Sequence, residues 1–265
     1  MTQDGTKDIT EIFGEKAFGF PKPVSLIKHI IGIATPRAKN ITILDFFAGS
    51  GTTLHAVMQL NKEDGGKRQC ILVTNNENNI CRDVTYERNK RVIEGYTTPK
   101  GVQVEGLREN NLRYYRTHLL PRERTNRNMR RLVAASTDLL CIKENIFDEF
   151  QVSGFKFQAR DARLFSDGKR VMMVIYNEEV IPEVVDWLQT AQAADALTHL
   201  RTNAIKVYVF SPGAYAWDDD FAEVIDKVEL CALPEAIYQA YKSVLPKKRV
   251  RRETAEGSSK EGGEE

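Results

Sequence analysis

One short stretch constrains the fold of this chain more than any other feature. It reads I-T-I-L-D-F-F-A-G-S-G-T-T-L-H-A-V and runs from Ile41 to Val57. An apolar run ends at Asp45, a loop of small residues follows, and an amphipathic segment begins at Thr52 or Thr53. This order predicts a β-strand, a tight turn and a helix N-terminus in direct succession. Such a junction can hold a nucleotide-like ligand, because glycines allow close backbone approach and the helix start offers free N–H donors.

Three classes of ligand use this geometry. A nucleoside triphosphate loop needs a Lys after its last glycine, and none follows Gly51. A dinucleotide fingerprint needs a third small residue, where this chain has Leu54. S-adenosylmethionine carries an ammonium, which suits Asp45, and a carboxylate, which suits Thr52 and the helix-start N–H groups. The alternative is a structural turn that binds no ligand.

The flanking segments carry a family resemblance. The loop L-D-F-F-A-G-S-G-T-T resembles the cofactor motif of amino-methylating DNA methyltransferases, and F-G-F-P-K-P-V-S-L-I at 18–27 resembles their K-P-x-x-L-[IL] segment. The segments L-N-K-E-D-G-G-K-R at 60–68, N-E-N-N-I-C at 76–81, V-T-Y-E-R-N-K-R-V-I-E-G-Y at 84–96 and N-L-R-Y-Y at 111–115 are similar to the modification (Mod) subunits of type III restriction–modification systems. The resemblance is dense over 18–115 and thinner to about 248.

The resemblance implies S-adenosyl-L-methionine as cofactor and a set of residues that bind it. Asp45 would bind the methionine amino group, and the glycines would allow close approach. Phe46 and Phe47 would wall the pocket, unless they are strand core, and Phe20 would border the cofactor. Glu77 would accept the ribose hydroxyls, although Asn75 or Thr74 could take that place. The candidates are Phe20, Lys22, Pro23, Asp45, Phe46, Phe47, Gly49, Gly51, Thr52 and Glu77.

The order of these motifs predicts that the base-binding half of the enzyme is missing. In this subgroup the catalytic [DNS]-P-P-[YFW] motif and the target-recognition region precede the K-P segment. Here the K-P segment lies near the start, and no Pro-Pro dipeptide occurs. Ser211-Pro212-Gly213-Ala214-Tyr215 follows an apolar run but is explained by a Pro-Gly turn. We therefore expect the C-terminal portion of an adenine-N6 methyltransferase, through truncation, an internal start or a split gene. No catalytic residue can be assigned, and the chain alone should be inactive.

Two other functions stay open at this stage. One is a non-catalytic or vestigial half that docks through an exposed sheet edge onto a separately encoded catalytic half. The other is an oxidoreductase with an atypical dinucleotide loop. The resemblance also implies double-stranded DNA as a partner of the complete enzyme, and a homodimer and a restriction subunit as assembly partners.

The net charge of +1 conceals an asymmetry between the two halves of the chain. Residues 1–135 hold 22 Lys and Arg against 14 Asp and Glu, whereas residues 136–265 hold 16 against 23. Arginine density suits contact with phosphates, because a duplex carries about one charge per 1.7 Å. The same excess of arginines would also be explained by a solvent-exposed connector, or by a docking surface for the missing half. The DNA-contact candidates are Arg122, Arg124, Arg127, Arg130 and Arg131.

Composition limits the compartment and the chemistry. No apolar stretch approaches the ~18 residues of a membrane span, and the polar start is not a secretion signal. Four widely spaced cysteines without a C-x-x-C pair indicate a reduced cytoplasm and no zinc site. The four histidines are scattered, so we expect structural or surface roles for them and no metal.

Alternating strands and helices predict an α/β fold: a partial Rossmann-like, doubly wound methyltransferase sheet with a smaller α/β C-terminal unit. In the second half, Ser166-Asp167-Gly168-Lys169 predicts a hairpin, and a helix at 219–228 would be capped by Asp218, Asp219 or Asp220. The expected organisation is a polar lead-in at 1–17, an S-adenosylmethionine-binding part at 18–116, a basic connector at 117–135, an α/β interaction domain at 136–246 and a disordered tail at 247–265.

Overall fold

The computed structural model describes residues 2–190, 193, 198, 204–213 and 216–246. The chain divides into two compact units, unit 1 at 1–117 and unit 2 at 118–265. Within the described residues, every helix is too short or too polar to cross a membrane. The predicted disordered tail at 247–265, and Ala214 and Tyr215 of the Ser-Pro-Gly segment, lie outside the described residues.

Unit 1 is built around a parallel strand pair joined by a helix. β1 (Thr42–Asp45) pairs with β2 (Gln69–Leu72), and the register runs from Thr42 opposite Gln69 to Asp45 opposite Leu72. The remaining elements are α1 (Thr2–Phe13), α2 (Val24–Ala34), α3 (Thr52–Asp64), a 3-10 turn (Glu77–Asn79), a π-helical turn (Ile80–Tyr86), α4 (Glu87–Glu94) and the antiparallel strands β3 (Gly95–Thr97) and β4 (Gln103–Glu105).

The segment expected as a polar lead-in forms α1 and contributes to the core of unit 1. Ile9 and Ile12 are buried although most of their neighbours in sequence are polar. Ile12 packs with Met58 and Val92, and the guanidinium of Arg91 donates to the Ile12 carbonyl at 3.1 Å. Two apolar residues at i, i+3 spacing are enough to anchor one face of a helix, and the polar remainder concealed that face in the sequence.

Unit 2 is a five-stranded mixed sheet with helices. Its strands lie in the order β5-β6-β7-β8-β9, antiparallel up to β7 and parallel from β7 to β9. The hairpin predicted around Asp167-Gly168 joins β6 to β7. The elements are α5 (Asn126–Glu144), β5 (Asp148–Glu149), β6 (Ala162–Ser166), β7 (Val171–Ile175), a 3-10 turn (Glu178–Val180), α6 (Ile181–Gln189), β8 (Ile205–Val209), a 3-10 turn (Ala222–Val224), β9 (Val228–Cys231) and α7 (Glu235–Val244).

The central strands of unit 2 are buried on both faces. Along β7, the side chains of Val171, Met173 and Ile175 belong to one apolar cluster, together with α6. Met172 and Val174 point the other way and join the cluster of α5 and α7. This alternation is the period-2 geometry of a strand, and it explains why β7 is a continuous apolar run. Both units are therefore mixed α/β structures.

Two expectations for unit 2 differ from the structure. The basic connector is helical from Asn126, and Thr125 caps α5 by accepting the N–H of Asn128 at 3.1 Å. No α-helix forms at 219–228, because Val228 pairs with Ile205 and starts β9. Asp218, Asp219 and Asp220 lie in turns ahead of a short 3-10 segment, so they do not cap an α-helix. Strand pairing across the sheet has overridden the local helical pattern.

Candidate functional site

The candidate site is the loop that joins β1 to α3. Asp45 ends β1, and both oxygens of its carboxylate are engaged at the loop. Oδ1 accepts the backbone N–H of Phe47 at 3.0 Å, and Oδ2 accepts the hydroxyl of Thr53 at 2.6 Å. A carboxylate oxygen has more than one lone pair, so Asp45 can still accept from a cationic ligand. The network fixes the orientation of this acid at the carboxyl end of the strand.

The glycines of the loop adopt left-handed backbone conformations. Gly49 has φ +50° and Gly51 has φ +72°, which side-chain-bearing residues rarely adopt. A Cβ on Gly51 would lie 2.5 Å from Nδ2 of Asn89, and one on Gly49 would lie 3.2 Å from the ring of Phe18. Gly51 is therefore required for packing of the loop against α4, whatever ligand approaches the loop from outside.

The upstream K-P segment meets the start of α3. The hydroxyl of Thr52, the first residue of α3, donates to the carbonyl of Lys22 at 3.1 Å. Pro23 is buried and immediately precedes α2. The structure thus brings Lys22, Pro23 and Thr52 to one place. The N–H groups of the first turn of α3 have no partner within the helix, so the loop offers donors as well as the Asp45 carboxylate.

Helix α1 holds the K-P segment in position. The carboxylate of Asp8 accepts the N–H of Val24, the first residue of α2, at 2.9 Å. Gly5 approaches the Pro21 carbonyl so closely that a Cβ there would lie 2.1 Å from the oxygen. The sequence analysis assigned no role to Gly5 or Asp8. The sequence pattern that could have indicated this helix is the i, i+3 spacing of Ile9 and Ile12, both of which are buried.

The aromatic candidates lie on the surface of unit 1. Phe20 is 78% exposed, Phe46 63% and Phe47 93%. Leu44 and Val73, at the ends of β1 and β2, are also largely exposed. These five side chains form what we call the apolar rim of unit 1. The structure thus leaves Phe20, Phe46 and Phe47 exposed on unit 1, and their role as pocket walls stays a prediction.

Glu77 lies outside this network. It is exposed in the 3-10 turn after β2, and the described contacts do not join it to the loop. The turn is organised by Asn76, whose side-chain oxygen accepts the N–H of Arg82 at 3.1 Å. Asn78 and Asn79 adopt positive φ. The ribose-binding role of Glu77, or of Thr74 or Asn75, therefore stays a prediction.

The sequence analysis did not single out three residues whose side chains donate hydrogen bonds to backbone carbonyls of the loop. Thr85 donates to the Gly49 carbonyl at 2.6 Å, and Asn89 donates to the Gly51 carbonyl at 3.2 Å. Arg88 is fully buried and donates to the carbonyl of Ser50 at 3.3 Å. The signal was present in the sequence, because positions 85, 88 and 89 share one helical face.

Burial changes the titration of two groups near α3 and β1. Burial, with the nearby charges of Arg88 and Lys28, lowers the pKa of His55 to about 3, so the ring is neutral at pH 7. Burial, with the negative charge of Asp45, raises the pKa of the Cys70 thiol to about 12. His55 also lines a cavity of about 280 Å³, which is bordered by α1, α2 and β3 and by none of the candidate cofactor residues.

The five candidate arginines of unit 2 are all exposed. Arg127, Arg130 and Arg131 lie at i, i+3 and i+4 in the first half of α5, so they share one face. Arg122 and Arg124 precede the helix in an irregular segment. Within the described parts of the chain, none of the five forms an ion pair with an acidic side chain. Their role in DNA contact stays a prediction.

Comparison with known proteins finds similarity in unit 1. Residues 2–95 match the family model described as DNA methylase. Over these residues the chain is similar to DNA methylases. It is 54% identical over 72 residues to the type III restriction-modification enzyme StyLTI Mod subunit of Salmonella typhimurium, a match that covers 27% of this chain and 11% of that protein. The resemblance to Mod subunits drawn from the sequence is confirmed.

Two further relatives are similar to part of this chain. The type II methyltransferase M.KpnI of Klebsiella pneumoniae is 44% identical over 97 residues, which cover 36% of this chain and 22% of that protein. The type III EcoPI Mod subunit of Escherichia phage P1 is 43% identical over 76 residues, which cover 29% of this chain and 12% of that protein. The match therefore spans no more than 22% of the length of these curated relatives.

Proposed function

We propose that unit 1 binds S-adenosyl-L-methionine at the loop between Asp45 and Thr53, as the cofactor-binding part of a DNA adenine-N6 methyltransferase of a restriction–modification system. The observation that carries the proposal is the oriented Asp45 carboxylate beside the N-terminus of α3, at the end of a parallel strand. A ligand with an ammonium and a carboxylate on the same carbon matches one acid and one set of N–H donors.

Each candidate residue has a binding role in this proposal. Asp45 accepts from the ammonium, and the first N–H groups of α3 donate to the carboxylate. Phe20, Phe46 and Phe47 cover the adenosine, and Glu77 accepts from the ribose hydroxyls. The β1-α3-β2 unit is the first β-α-β repeat of a Rossmann-like sheet, whose ligand belongs at the carboxyl ends of the strands. When bound, the cofactor supplies the methyl group.

Methyl transfer requires groups that these 265 residues do not include. The amino group of adenine is a poor nucleophile because its lone pair is delocalised into the ring. A methyltransferase flips the base out, stacks it on an aromatic ring and accepts its N–H bonds. The sequence holds no Pro-Pro dipeptide to which these roles can be carried over. We therefore propose that the chain binds the cofactor and transfers no methyl group by itself.

The apolar rim supports a second form of the proposal, in which the chain is a non-catalytic half that docks onto a separate catalytic polypeptide. Leu44, Phe46 and Phe47 expose apolar surface beside the cofactor loop, where a catalytic half would have to lie. Unit 2 then provides an interaction surface for a second copy or a restriction subunit, and the arginine face of α5 contacts duplex DNA. Contiguous exposed apolar patches on a soluble protein often mark a site of interaction with another protein or a ligand.

Calorimetric titration with S-adenosylhomocysteine and with NAD tests the cofactor proposal. We expect heat of binding from the first and none from the second, since the loop lacks the third small residue of a dinucleotide site. Asp45→Asn should weaken binding about tenfold or more, because the ammonium loses its counter-charge. Asp64→Asn, which removes an acid paired with Arg68 at the far end of α3, is the matched control. Preference for NAD would overturn the proposal.

Incubation of the purified chain with duplex DNA and methyl-labelled S-adenosylmethionine tests the second claim. We expect no label in the DNA from the chain alone. Label should appear after addition of a polypeptide that carries the Asp-Pro-Pro-Tyr motif and docks on unit 1. Transfer by the chain alone would show that another residue holds the adenine.

A further inference from the structure

Arg88 is a buried guanidinium that forms no ion pair with an acidic side chain in the described part of the chain. Its side chain has no exposed surface. Its Nε has no hydrogen-bond acceptor. Buried arginines are usually paired with an acid, because an isolated charge is costly to remove from water. The contacts that replace a counter-charge here all belong to the glycine loop and α3.

The guanidinium lies directly under the start of α3. Nη1 donates to the Thr52 hydroxyl at 2.7 Å and to the Ser50 hydroxyl at 3.0 Å, and Nη2 faces Nδ1 of His55 at 3.5 Å. Since Arg88 donates to the oxygens of Ser50 and Thr52, their hydroxyl protons point elsewhere. Thr52 donates its proton onward to the Lys22 carbonyl. The Ser50 and Thr52 hydroxyls also contact each other at 3.1 Å, so both are engaged within the protein.

The surrounding groups leave the positive charge in place. His55 is neutral at pH 7, so its ring cannot balance the guanidinium. Burial lowers the pKa of Arg88 to about 10. The charges of Asp8 and Tyr96 oppose this shift without cancelling it. The side chain therefore remains protonated at pH 7. The N-terminus of a 13-residue helix adds its own partial positive charge at the same point. Two positive contributions therefore meet behind the loop.

We propose that Arg88 makes the glycine loop a carboxylate-selective site, because its buried positive charge adds to that of the α3 N-terminus behind the loop. This inference rests on the proposed cofactor function and adds a determinant of ligand specificity to it. Arg88 is a positioning residue and does not contact the ligand, because its side chain is completely buried beneath the loop. The loop should select adenosine derivatives that carry an α-carboxylate over those that lack only this group.

The test is calorimetry on the full chain with three ligands: S-adenosylhomocysteine, its decarboxylated analogue and 5′-methylthioadenosine, which lacks the whole amino acid. The wild-type chain should bind the first about tenfold or more tightly than the second. Arg88→Met should remove most of this preference by weakening S-adenosylhomocysteine, while the affinity for methylthioadenosine changes little. Arg88→Lys, which keeps the charge without the planar fork, should retain part of the preference.

Arg68→Met is the matched control. Arg68 is another largely buried arginine of unit 1, but it is paired with Asp64 at the far end of α3. Its replacement should lower the unfolding temperature and leave the ligand preference unchanged. If Arg88→Met fails to fold, the wild-type preference and the Arg88→Lys variant still decide the question.

The outcomes separate this inference from the proposed function. Equal wild-type affinity for S-adenosylhomocysteine and its decarboxylated analogue would overturn the role of Arg88 and leave cofactor binding intact. Equal weakening of all three ligands by Arg88→Met would show that the residue only supports the fold. Absence of binding by every adenosine derivative would overturn both.

Discussion

The two units of this protein use their apolar residues in opposite ways. In unit 2, the sheet is covered on both faces, and β7 has no exposed side chain. In unit 1, the strand pair that carries the candidate site places Leu44, Phe46 and Phe47 on the surface, while Arg88 and Asn89 are fully buried. Burial in unit 2 thus serves stability. Unit 1 has a small apolar core as well, but its buried polar side chains hold the shape of one loop, and its apolar rim is exposed.

The largest contrast should come from truncating one apolar side chain in each unit. Ile175→Ala removes a fully buried side chain from β7 and should lower the free energy of unfolding of unit 2 by about 2–5 kcal/mol. Phe47→Ala removes a larger side chain that is 93% exposed and should change the stability of unit 1 by less than about 0.5 kcal/mol. Denaturant titration measures both. A large loss from Phe47→Ala would mean that the apolar rim is covered within the chain.

A second contrast uses two glycines of unit 1 with nearly equal backbone angles. Gly51 (φ +72°) and Gly65 (φ +69°) flank α3, but only Gly51 has a neighbour in the space of a Cβ. Gly65→Ala should cost about 1 kcal/mol from backbone strain. Gly51→Ala should cost about 1–3 kcal/mol more, because Asn89 must give up its bonds to the loop. Thermal unfolding of both variants checks this, and equal losses would contradict the packing role of Gly51.

Acid should weaken the two units over different pH ranges. The pKa of His55 is lowered from 6.5 to about 3 in the folded chain, so the unfolded state binds the extra proton and unit 1 loses stability as the pH falls from 6.5 towards 3. The loss at pH 5 should be about 2 kcal/mol.

In unit 2, burial of Glu144 is outweighed by hydrogen bonds from Lys143, Tyr208 and Lys206, which lower its pKa to about 2. That contribution is complete above about pH 4.5 and is lost as the pH falls towards 2. Unfolding followed at pH 7 and pH 5 should therefore show a loss in unit 1 that His55→Gln reduces. A pH 5 loss that the variant leaves unchanged would argue against this assignment.

The smallest effect should be on DNA affinity. Replacing Arg127, Arg130 and Arg131 by Gln should reduce the slope of log affinity against log salt by about 1–3, since each phosphate contact contributes about 0.9. The control replaces Lys156, Arg160 and Lys169, three exposed cations elsewhere in unit 2. Fluorescence anisotropy on a duplex at several salt concentrations gives the slopes. Equal reductions by both triple variants would assign the effect to net charge alone.

Predictions from the sequence were most accurate for segments whose structure is determined by local residue patterns. The strand, loop and helix from Thr42 to Asp64 follow from the apolar run and the glycines, and the hairpin at Asp167-Gly168 follows from its turn residues. The helix expected at 219–228 did not form, because pairing of Val228 with Ile205 is a long-range contact that local periodicity cannot register.

The supporting residues of the site were harder to predict than the loop. Arg88 and Asp8 act through contacts with residues 36 and 16 positions away, respectively. A charged residue on a polar helix is usually solvated, so the shared helical face of Thr85, Arg88 and Asn89 was a weak signal that did not by itself predict a buried arginine. The loop residues themselves could be named because glycine, acid and helix start are adjacent in the chain.

The most direct measurement is an amide NMR titration of the ¹⁵N-labelled chain with S-adenosylhomocysteine. The largest shifts should fall on the amides of Gly49 to Thr53 and on Phe47, whose N–H is bonded to Asp45, while the amides of β7 in unit 2 stay in place. Unchanged loop amides at saturating ligand, or shifts centred on another part of the chain, would contradict binding at this loop.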